Sequence, residues 1–306
     1  MTLTNTSQDL DPIVSSATTQ LQLLFERLAG AASASAVADF VRYGQDLGPF
    51  DHYKVFHQKA RQLIPGTVLA DGAKASEVFL KATIVQGMLD LLASKRFARL
   101  PPRVRAQQVK QLQRIAANDE IAGWLNVDND LFHKEFGIAT LRLYVAGAQL
   151  VDARCGIPRS ILFKGGMRFV PKNIAAILRL GGFRKYFQLH THKFMLDAFD
   201  EAGWSECYLC CAELYGLHPE VLGMFGSSWF YDPALAAISP RLSYLRATPM
   251  AGGAELFFVG DGESAKANAL STSPTRRKLY EEGKYSPNNY MLAWGKARQI
   301  SWAKIR

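Results

Sequence analysis

Two histidines separated by a single residue, His190 and His192, are the side chains of this chain best suited to chemistry. Residues two apart on a strand point to the same face of a sheet, so both imidazoles would reach one site. A histidine with an ordinary pKa of about 6.5 can exchange a proton at neutral pH, and a neutral imidazole can also bind a metal ion. The pair therefore predicts either a general base or part of a metal site.

A metal site built on this pair needs further ligands from elsewhere in the chain. The candidates are His133, Glu135, Asp197, Asp200 and Glu213. The sequence leaves open which of these side chains converge. Metal-dependent oxygenase or hydrolase chemistry, with His190 and His192 as ligands, therefore stays as an alternative to proton transfer.

The histidine pair lies near the end of a stretch without acidic residues, residues 153–196. Its basic side chains are Arg154, Arg159, Lys164, Arg168, Lys172, Arg179, Arg184, Lys185 and Lys193. The formal net charge of the 306-residue chain is only +9, so overall composition does not explain this local excess. Such a surface favours phosphates or an acidic protein partner.

Residues 223–233 are rich in glycine and aromatic side chains and predict the lining of a cleft. Gly223, Gly226 and Ser227 let a ligand approach the backbone closely, so their N–H groups are candidate ligand donors. Trp229 and Tyr231 are candidates for the walls of the cleft.

Two arginines provide further candidates for substrate binding. Arg241 and Arg276 each follow a Ser-Pro pair that can begin a helix. A helix N-terminus and a nearby guanidinium group can bind one anion together.

The cysteines do not indicate a metal site. Cys207, Cys210 and Cys211 lie within five residues of one another, and the fourth cysteine is Cys155. No second C-x-x-C and no suitably spaced histidine pair completes a zinc motif. We expect reduced cysteines that act as small apolar side chains on a buried helix.

The pattern of apolar residues predicts an α+β protein in which residues 1–124 are helical and residues 125–306 form a mixed α/β sheet domain, the candidate catalytic domain. In the first part we expect four or five helices, because breaks fall at Gly48-Pro49, Pro65-Gly66 and Pro101-Pro102. In the second part the predicted strands are residues 139–145, 149–152, 186–191, 221–231, 254–259 and 290–302, and the predicted helices are residues 207–217, 233–246 and 264–280.

Several classes of protein are disfavoured by what the sequence lacks. It has no apolar run that would span a bilayer and no signal peptide, so we expect a cytoplasmic protein. It has neither a P-loop nor a dinucleotide-binding glycine motif. A non-catalytic module that binds nucleic acid remains a third alternative, although the basic residues belong to no recognised nucleic-acid motif, which disfavours such a partner.

The predicted order of elements from Ala139 onward, over about the last 170 residues, resembles the GNAT acyltransferase superfamily. In that family a strand leads into a loop whose backbone N–H groups hold the pyrophosphate of coenzyme A, or the phosphopantetheine of an acyl carrier protein. The corresponding region here is Leu189 to Ser205. It contains only Gly203 of the family's glycine-rich signature, which favours an acidic acyl carrier protein as the donor.

This resemblance implies an acyltransferase that moves an acyl group from a thioester to the amine of a small-molecule acceptor. His190 or His192 would be the base, and replacing His192 with Ala would reduce turnover while leaving the fold intact. Backbone N–H groups at Gly223, Gly226 and Ser227 would form part of the oxyanion site. Arg184, Lys185 and Lys193 would bind the phosphate of the donor, and we expect no tightly bound cofactor beyond this phosphopantetheine thioester.

Overall fold

The structure is a computed structural model that describes residues 10–45, 48, 52–53 and 57–306. The chain forms two compact units. The first comprises Met1–Ala146 together with His192–Phe194, and the second comprises Gly147–Thr191 and Met195–Arg306. Residues 125–146, which the sequence analysis placed in the second domain, lie in the first unit. The break predicted at Gly48-Pro49 falls largely outside the described residues.

The first unit is helical, which confirms the prediction for the N-terminal part of the chain. Its elements are α1 (Asp11–Leu28), α2 (Ala34–Gln45), α3 (His57–Ala60), α4 (Gly66–Ala70), α5 (Ala73–Leu92), α6 (Lys95–Ala98), α7 (Pro102–Ala117), α8 (Asp130–Ala139) and the strand β1 (Leu143–Ala146).

The core of the first unit forms around α5. This helix is buried on most sides, whereas α1 buries one stripe that includes Ile13, Ala17, Leu24 and Leu28. The spacing of that stripe matches the period of an α-helix, so burial of apolar surface holds α1 in place.

The second unit contains strands and helices in alternation. Its elements are β2 (Gln149–Gly156), α9 (Val170–Leu180), β3 (Lys185–His190), α10 (Glu201–Leu214), β4 (Gly223–Ser228), α11 (Leu235–Ile238), α12 (Tyr244–Ala251), β5 (Glu255–Gly260), α13 (Glu263–Ser271), α14 (Pro274–Glu281), β6 (Asn289–Gly295) and α15 (Lys296–Ala303). The predicted class, a helical region followed by a mixed α/β sheet, is confirmed.

The strands of the second unit form a mixed sheet in the order β2-β3-β4-β6-β5. β3 and β4 are parallel, and the other neighbouring pairs in this order are antiparallel. α9 packs on one face, where Ile177 and Leu180 join a core with Tyr186 and Phe225. α10 and α15 cover the other face, where Trp294 contacts aromatic rings of both helices.

The structure corrects several predicted boundaries. α8 begins at Asp130 and reaches Ala139, so residues 139–142 are not part of a strand. α9 lies in a region for which no element was predicted. β4 ends at Ser228 in a 3₁₀ turn, Trp229–Tyr231, and β6 ends at Gly295 where α15 begins. The helix predicted over residues 264–280 is two helices, α13 and α14.

Most of these errors have one cause: a short apolar run does not distinguish a strand from a buried helix or turn. Glycine or proline then decides where the element ends, as at Gly295, after which the chain turns into α15. Among the described residues, no helix is both long and apolar enough to cross a membrane.

Candidate active site

The carboxyl ends of β3 and β4 diverge. Phe187 pairs with Met224 and Gln188 with Phe225. β4 continues to Ser228 alongside β6, but within the described part of the chain no β3–β4 pair follows Gln188–Phe225. Open sheets with parallel strands commonly bind ligands at such a divergence, because backbone groups there have no neighbouring strand.

The phenol of Tyr231 lies beside this divergence. A Cβ atom added to Gly226 of β4 would lie 3.0 Å from the Tyr231 hydroxyl oxygen and 3.6 Å from the Cβ atom of Leu189 on β3. The ring is buried, and burial raises the pKa of its hydroxyl. The hydroxyl therefore stays protonated at neutral pH and can donate a hydrogen bond at the divergence.

Three potentially reactive groups converge where β3 lies against β2. The carboxylate of Asp152, the thiol of Cys155 and the imidazole of His190 each place an atom within 4.8 Å of the other two. We call these three residues the Asp152 cluster. They combine a buried acid, a sulfur nucleophile or ligand, and a group that exchanges protons near neutral pH.

A β-bulge brings this cluster together. Asp152 and Cys155 are three residues apart, so an undisturbed strand would place them on opposite faces. Asp152 pairs with Gln188 and Cys155 pairs with Tyr186, so β2 has one extra residue between these pairs. The extra residue returns Cys155 to the face of Asp152. The Asp152 carboxylate also accepts the backbone N–H of Arg154 at 2.9 Å, within the bulge.

The members of the cluster differ in exposure. Asp152 is fully buried and Cys155 is 6% exposed, whereas His190 is partly exposed. Solvent therefore reaches part of His190, whereas the Nε2 atom of its ring is buried. The Asp152 carboxylate lies within 4.8 Å of a ring nitrogen. A carboxylate in such a position orients an imidazole and stabilises its protonated form.

His192 has different neighbours. It lies in the first unit, where its Nε2 atom is 2.9 Å from Oε1 of Glu135 on α8. Its Nδ1 atom accepts the backbone N–H of Phe194 at 3.1 Å. Because Nδ1 is an acceptor, the proton of the neutral ring is on Nε2 and points to Glu135. Neither nitrogen then offers a free lone pair to an incoming amine.

Glu135 joins His192 to a cation. Arg114 of α7 approaches the same carboxylate at 2.6 Å. Burial alone would raise the pKa of Glu135, but the hydrogen bond from His192 and the charge of Arg114 outweigh this effect and lower it. The carboxylate is therefore ionised and compensated inside the unit, as expected for a structural ion pair.

The other residues predicted as metal ligands are not members of the Asp152 cluster. Nε2 of His133 donates to the carbonyl oxygen of Val127 at 2.6 Å. Asp200 caps α10 by accepting the N–H of Gly203 at 2.8 Å. Asp197 is exposed and Glu213 is partly exposed. His133 and Asp200 thus have structural contacts of their own.

The basic residues predicted to bind the donor phosphate are not gathered near His190. Arg184 precedes β3, and Lys185 begins it with its Nζ atom 3.8 Å from Glu220. Five residues along a strand span roughly 17 Å, so these two residues and His190 mark opposite ends of β3. Lys193 is exposed in the first unit, with its Nζ atom 6.0 Å from the ring centroid of Phe194.

The small residues of β4 have distinct environments. Gly223 is buried, and a Cβ atom there would lie 2.3 Å from the carbonyl oxygen of Trp294 on β6. Its task is therefore close packing of two strands rather than contact with a ligand. The buried Gly226 and the exposed Ser227 lie beyond the last β3–β4 pair and have β6 as their neighbouring strand.

The two arginines predicted to bind substrate also differ in their environments. Arg276 is buried: its Nε atom donates to Ala269, and its guanidinium carbon lies 4.7 Å from the ring centroid of Trp229. Arg276 therefore fixes Trp229 instead of presenting a charge to solvent. Arg241 is exposed.

The prediction for the clustered cysteines is confirmed. Cys207, Cys210 and Cys211 are reduced and fully buried on α10. Burial is the largest cause that raises the pKa of the Cys207 thiol, so it stays protonated and unreactive.

No family model, no curated protein and no solved structure matches the chain.

Sequence reasoning missed two members of the Asp152 cluster. Asp152 appears in the sequence only as the last residue of a predicted strand, and Cys155 only as the fourth cysteine. The available signal was the strand predicted to end at Asp152 next to the strand containing His190. Sequence does not show the bulge that adds Cys155 to the same face.

Proposed function

We propose that the protein is an acyltransferase that moves an acyl group from a thioester to an amine at the carboxyl ends of β3 and β4. The divergence of these parallel strands carries the proposal, because His190 ends β3 where β4 continues without β3 as a neighbour on that edge. α10 follows β3, in the position where the resemblance to the GNAT superfamily implies the thioester donor.

His190 is the base in this proposal. The amine nitrogen attacks the thioester carbonyl, and its proton passes to the imidazole. Asp152, within 4.8 Å of that imidazole, stabilises the positive charge that the ring acquires. His192 is not assigned this role, because Glu135 and the N–H of Phe194 already contact its two nitrogens.

The backbone of β4 acts on the carbonyl oxygen of the thioester. Because successive N–H groups of a strand point to opposite edges, one of the two N–H groups at Gly226 and Ser227 faces away from β6 and donates to the oxygen of the tetrahedral intermediate. The C–S bond then breaks, and the departing sulfur takes the proton that the imidazolium of His190 accepted from the amine, which returns His190 to its neutral form. Tyr231 lies on the other face of the sheet, with Leu189, and has no role in this transfer.

The charge of residues 153–196 favours an acidic acyl carrier protein as the donor. This stretch has no acidic residue, and complementary charge accelerates and orients the association of proteins. A small amine is the acceptor, because His190 is only partly exposed.

The experiment supplies two thioester donors, acyl-coenzyme A and an acylated carrier protein, with a panel of small amines. Product is detected as the acylated amine by mass spectrometry. Wild-type protein is expected to form it, and His190→Gln is expected to lose about 100-fold in turnover. Lys304→Ala, an exposed substitution far along the chain, serves as the matched control. No acylated amine from either donor would refute the proposal.

A metal-dependent enzyme is the second candidate, and the Asp152 cluster is the observation that favours it. Carboxylate, thiolate and imidazole are zinc ligands, with a water in the fourth position of a catalytic site. Ligands around zinc are about 3.5 Å apart at tetrahedral angles, so atoms now within 4.8 Å would need to converge slightly. Cobalt titration tests this: a thiolate-to-cobalt charge-transfer band is expected in wild-type protein and absent in Cys155→Ala, whereas Cys211→Ala is the control.

A further inference from the structure

A cavity of about 620 Å³ lies within the second unit and is lined by none of the residues assigned to acyl transfer. Its walls come from the loop before α9 and the first turn of that helix, and from β5 and β6. Its lining includes Lys164, Arg168, Phe169, Lys172, Phe258 and Tyr290. The volume is typical of sites for small organic ligands.

The cavity has an excess of positive charge. Among the described residues, Lys164 and Lys172 take part in no ion pair, and Arg168 contacts only the ring of Phe169, at 4.8 Å. The single carboxylate of the wall, Glu255, is engaged by Arg179 through two hydrogen bonds of 2.7 and 3.1 Å. The three cations are therefore available to an anion of more than one charge.

Aromatic rings form another part of the wall. Phe258 and Tyr290 are paired residues of β5 and β6, with ring centroids 5.4 Å apart. Gly165 has φ +82°, and a Cβ atom there would lie 2.9 Å from Phe169 and 3.3 Å from Phe258. Only glycine fits this turn, which holds the cationic loop against the rings.

We propose that this cavity binds a nucleoside polyphosphate, with the base against Phe258 and Tyr290 and the phosphates on Lys164, Arg168 and Lys172. A flat ring explains the aromatic wall, because bases stack on such side chains. A ligand with at least two phosphates would match the charge of the three available cations. This site does not depend on the acyl transfer proposed above.

Calorimetric titration with ADP, pyrophosphate and adenosine, in the absence of any thioester, tests the proposal. ADP is expected to bind at least about 10-fold more tightly than either of its parts, because both walls contribute. Equal affinity of ADP and pyrophosphate would overturn the proposal, and so would saturable binding of none of the three.

Substitutions locate the site. Arg168→Ala with Lys172→Ala is expected to weaken ADP binding at least about 100-fold, and Phe258→Leu about 10-fold. The matched control, Lys278→Ala with Lys304→Ala, removes the same charge from other surfaces and is expected to keep wild-type affinity. Circular dichroism verifies that each variant folds, and equal weakening in the control and the Arg168 variant would contradict the site.

Discussion

His190 and Asp152 lie on neighbouring antiparallel strands, with their reactive atoms within 4.8 Å of each other. Asp152 faces Gln188, two residues before His190, so the two side chains are diagonal neighbours on one face of the sheet. The partly exposed imidazole therefore has a fully buried carboxylate at its side. This relationship is the basis of the proposed proton transfer.

The carboxylate of Asp152 is expected to control the protonation of His190. Asp152→Asn keeps the size of the side chain and removes its charge, so turnover should fall about 100-fold. The acidic limb of the pH–rate profile, which reports protonation of the general base, should move to lower pH. The pH dependence of kcat in both proteins measures this. An Asp152→Asn variant with a lower rate but an unshifted profile would limit Asp152 to a structural role.

His192 is expected to stabilise the fold rather than to act on substrate. His192→Ala leaves Glu135 buried with Arg114 as its remaining ionic contact, so the free energy of unfolding should fall by about 3 kcal/mol. This differs from the expectation from sequence alone, in which the variant loses turnover and keeps its fold. Urea unfolding compares it with Lys193→Ala, an exposed neighbour. Unchanged stability with lost turnover would restore the catalytic assignment.

Lys81 should make stability depend on pH. Its Nζ atom donates to the carbonyl of Asn118 at 2.6 Å, and burial lowers its pKa from 10.5 to about 8. Between these values the unfolded chain binds more protons at this site, so the contribution of Lys81 to the free energy of unfolding rises with pH. Below the lower pKa, the buried charged amine reduces the free energy of unfolding by about 3 kcal/mol.

Lys81→Met isolates this effect. The variant should be more stable than wild type by about 2 kcal/mol near neutral pH, and the advantage should shrink toward about pH 9.5. Gln20 still donates to the same Asn118 carbonyl at 2.7 Å, so this acceptor keeps a hydrogen bond. Urea unfolding of both proteins at the two pH values gives the difference between their free energies of unfolding. The titration of tyrosines and cysteines contributes equally to both proteins and cancels in this difference. A difference that does not vary with pH would contradict the burial of a charged amine.

Gly223 is expected to be required for strand packing. A methyl group there would meet the carbonyl oxygen of Trp294 at 2.3 Å, and backbone must move to admit it. Gly223→Ala should therefore lower the free energy of unfolding by about 3 kcal/mol. Gly262→Ala is the control, because nothing lies within 4 Å of its added Cβ atom. Equal melting temperatures of the two variants would refute this packing role.

The sequence predicted the features that depend on regular patterns. The helical spacing around Leu24 and Leu28, and the strand that ends at His190, both agree with the structure. The bulge between Asp152 and Cys155 was not predictable, because an added residue in one strand is defined by pairing with another. The same limit applies to His192, whose contact with Glu135 joins residues far apart in the chain.

The most direct test of acyl transfer is the rate at which chelator-treated wild-type protein converts a thioester and an amine to the acylated amine. The account predicts that turnover survives removal of metal and falls about 100-fold in His190→Gln, because the imidazole itself accepts the proton. Turnover that disappears with the chelator and returns with zinc would contradict it and assign the Asp152 cluster to a metal.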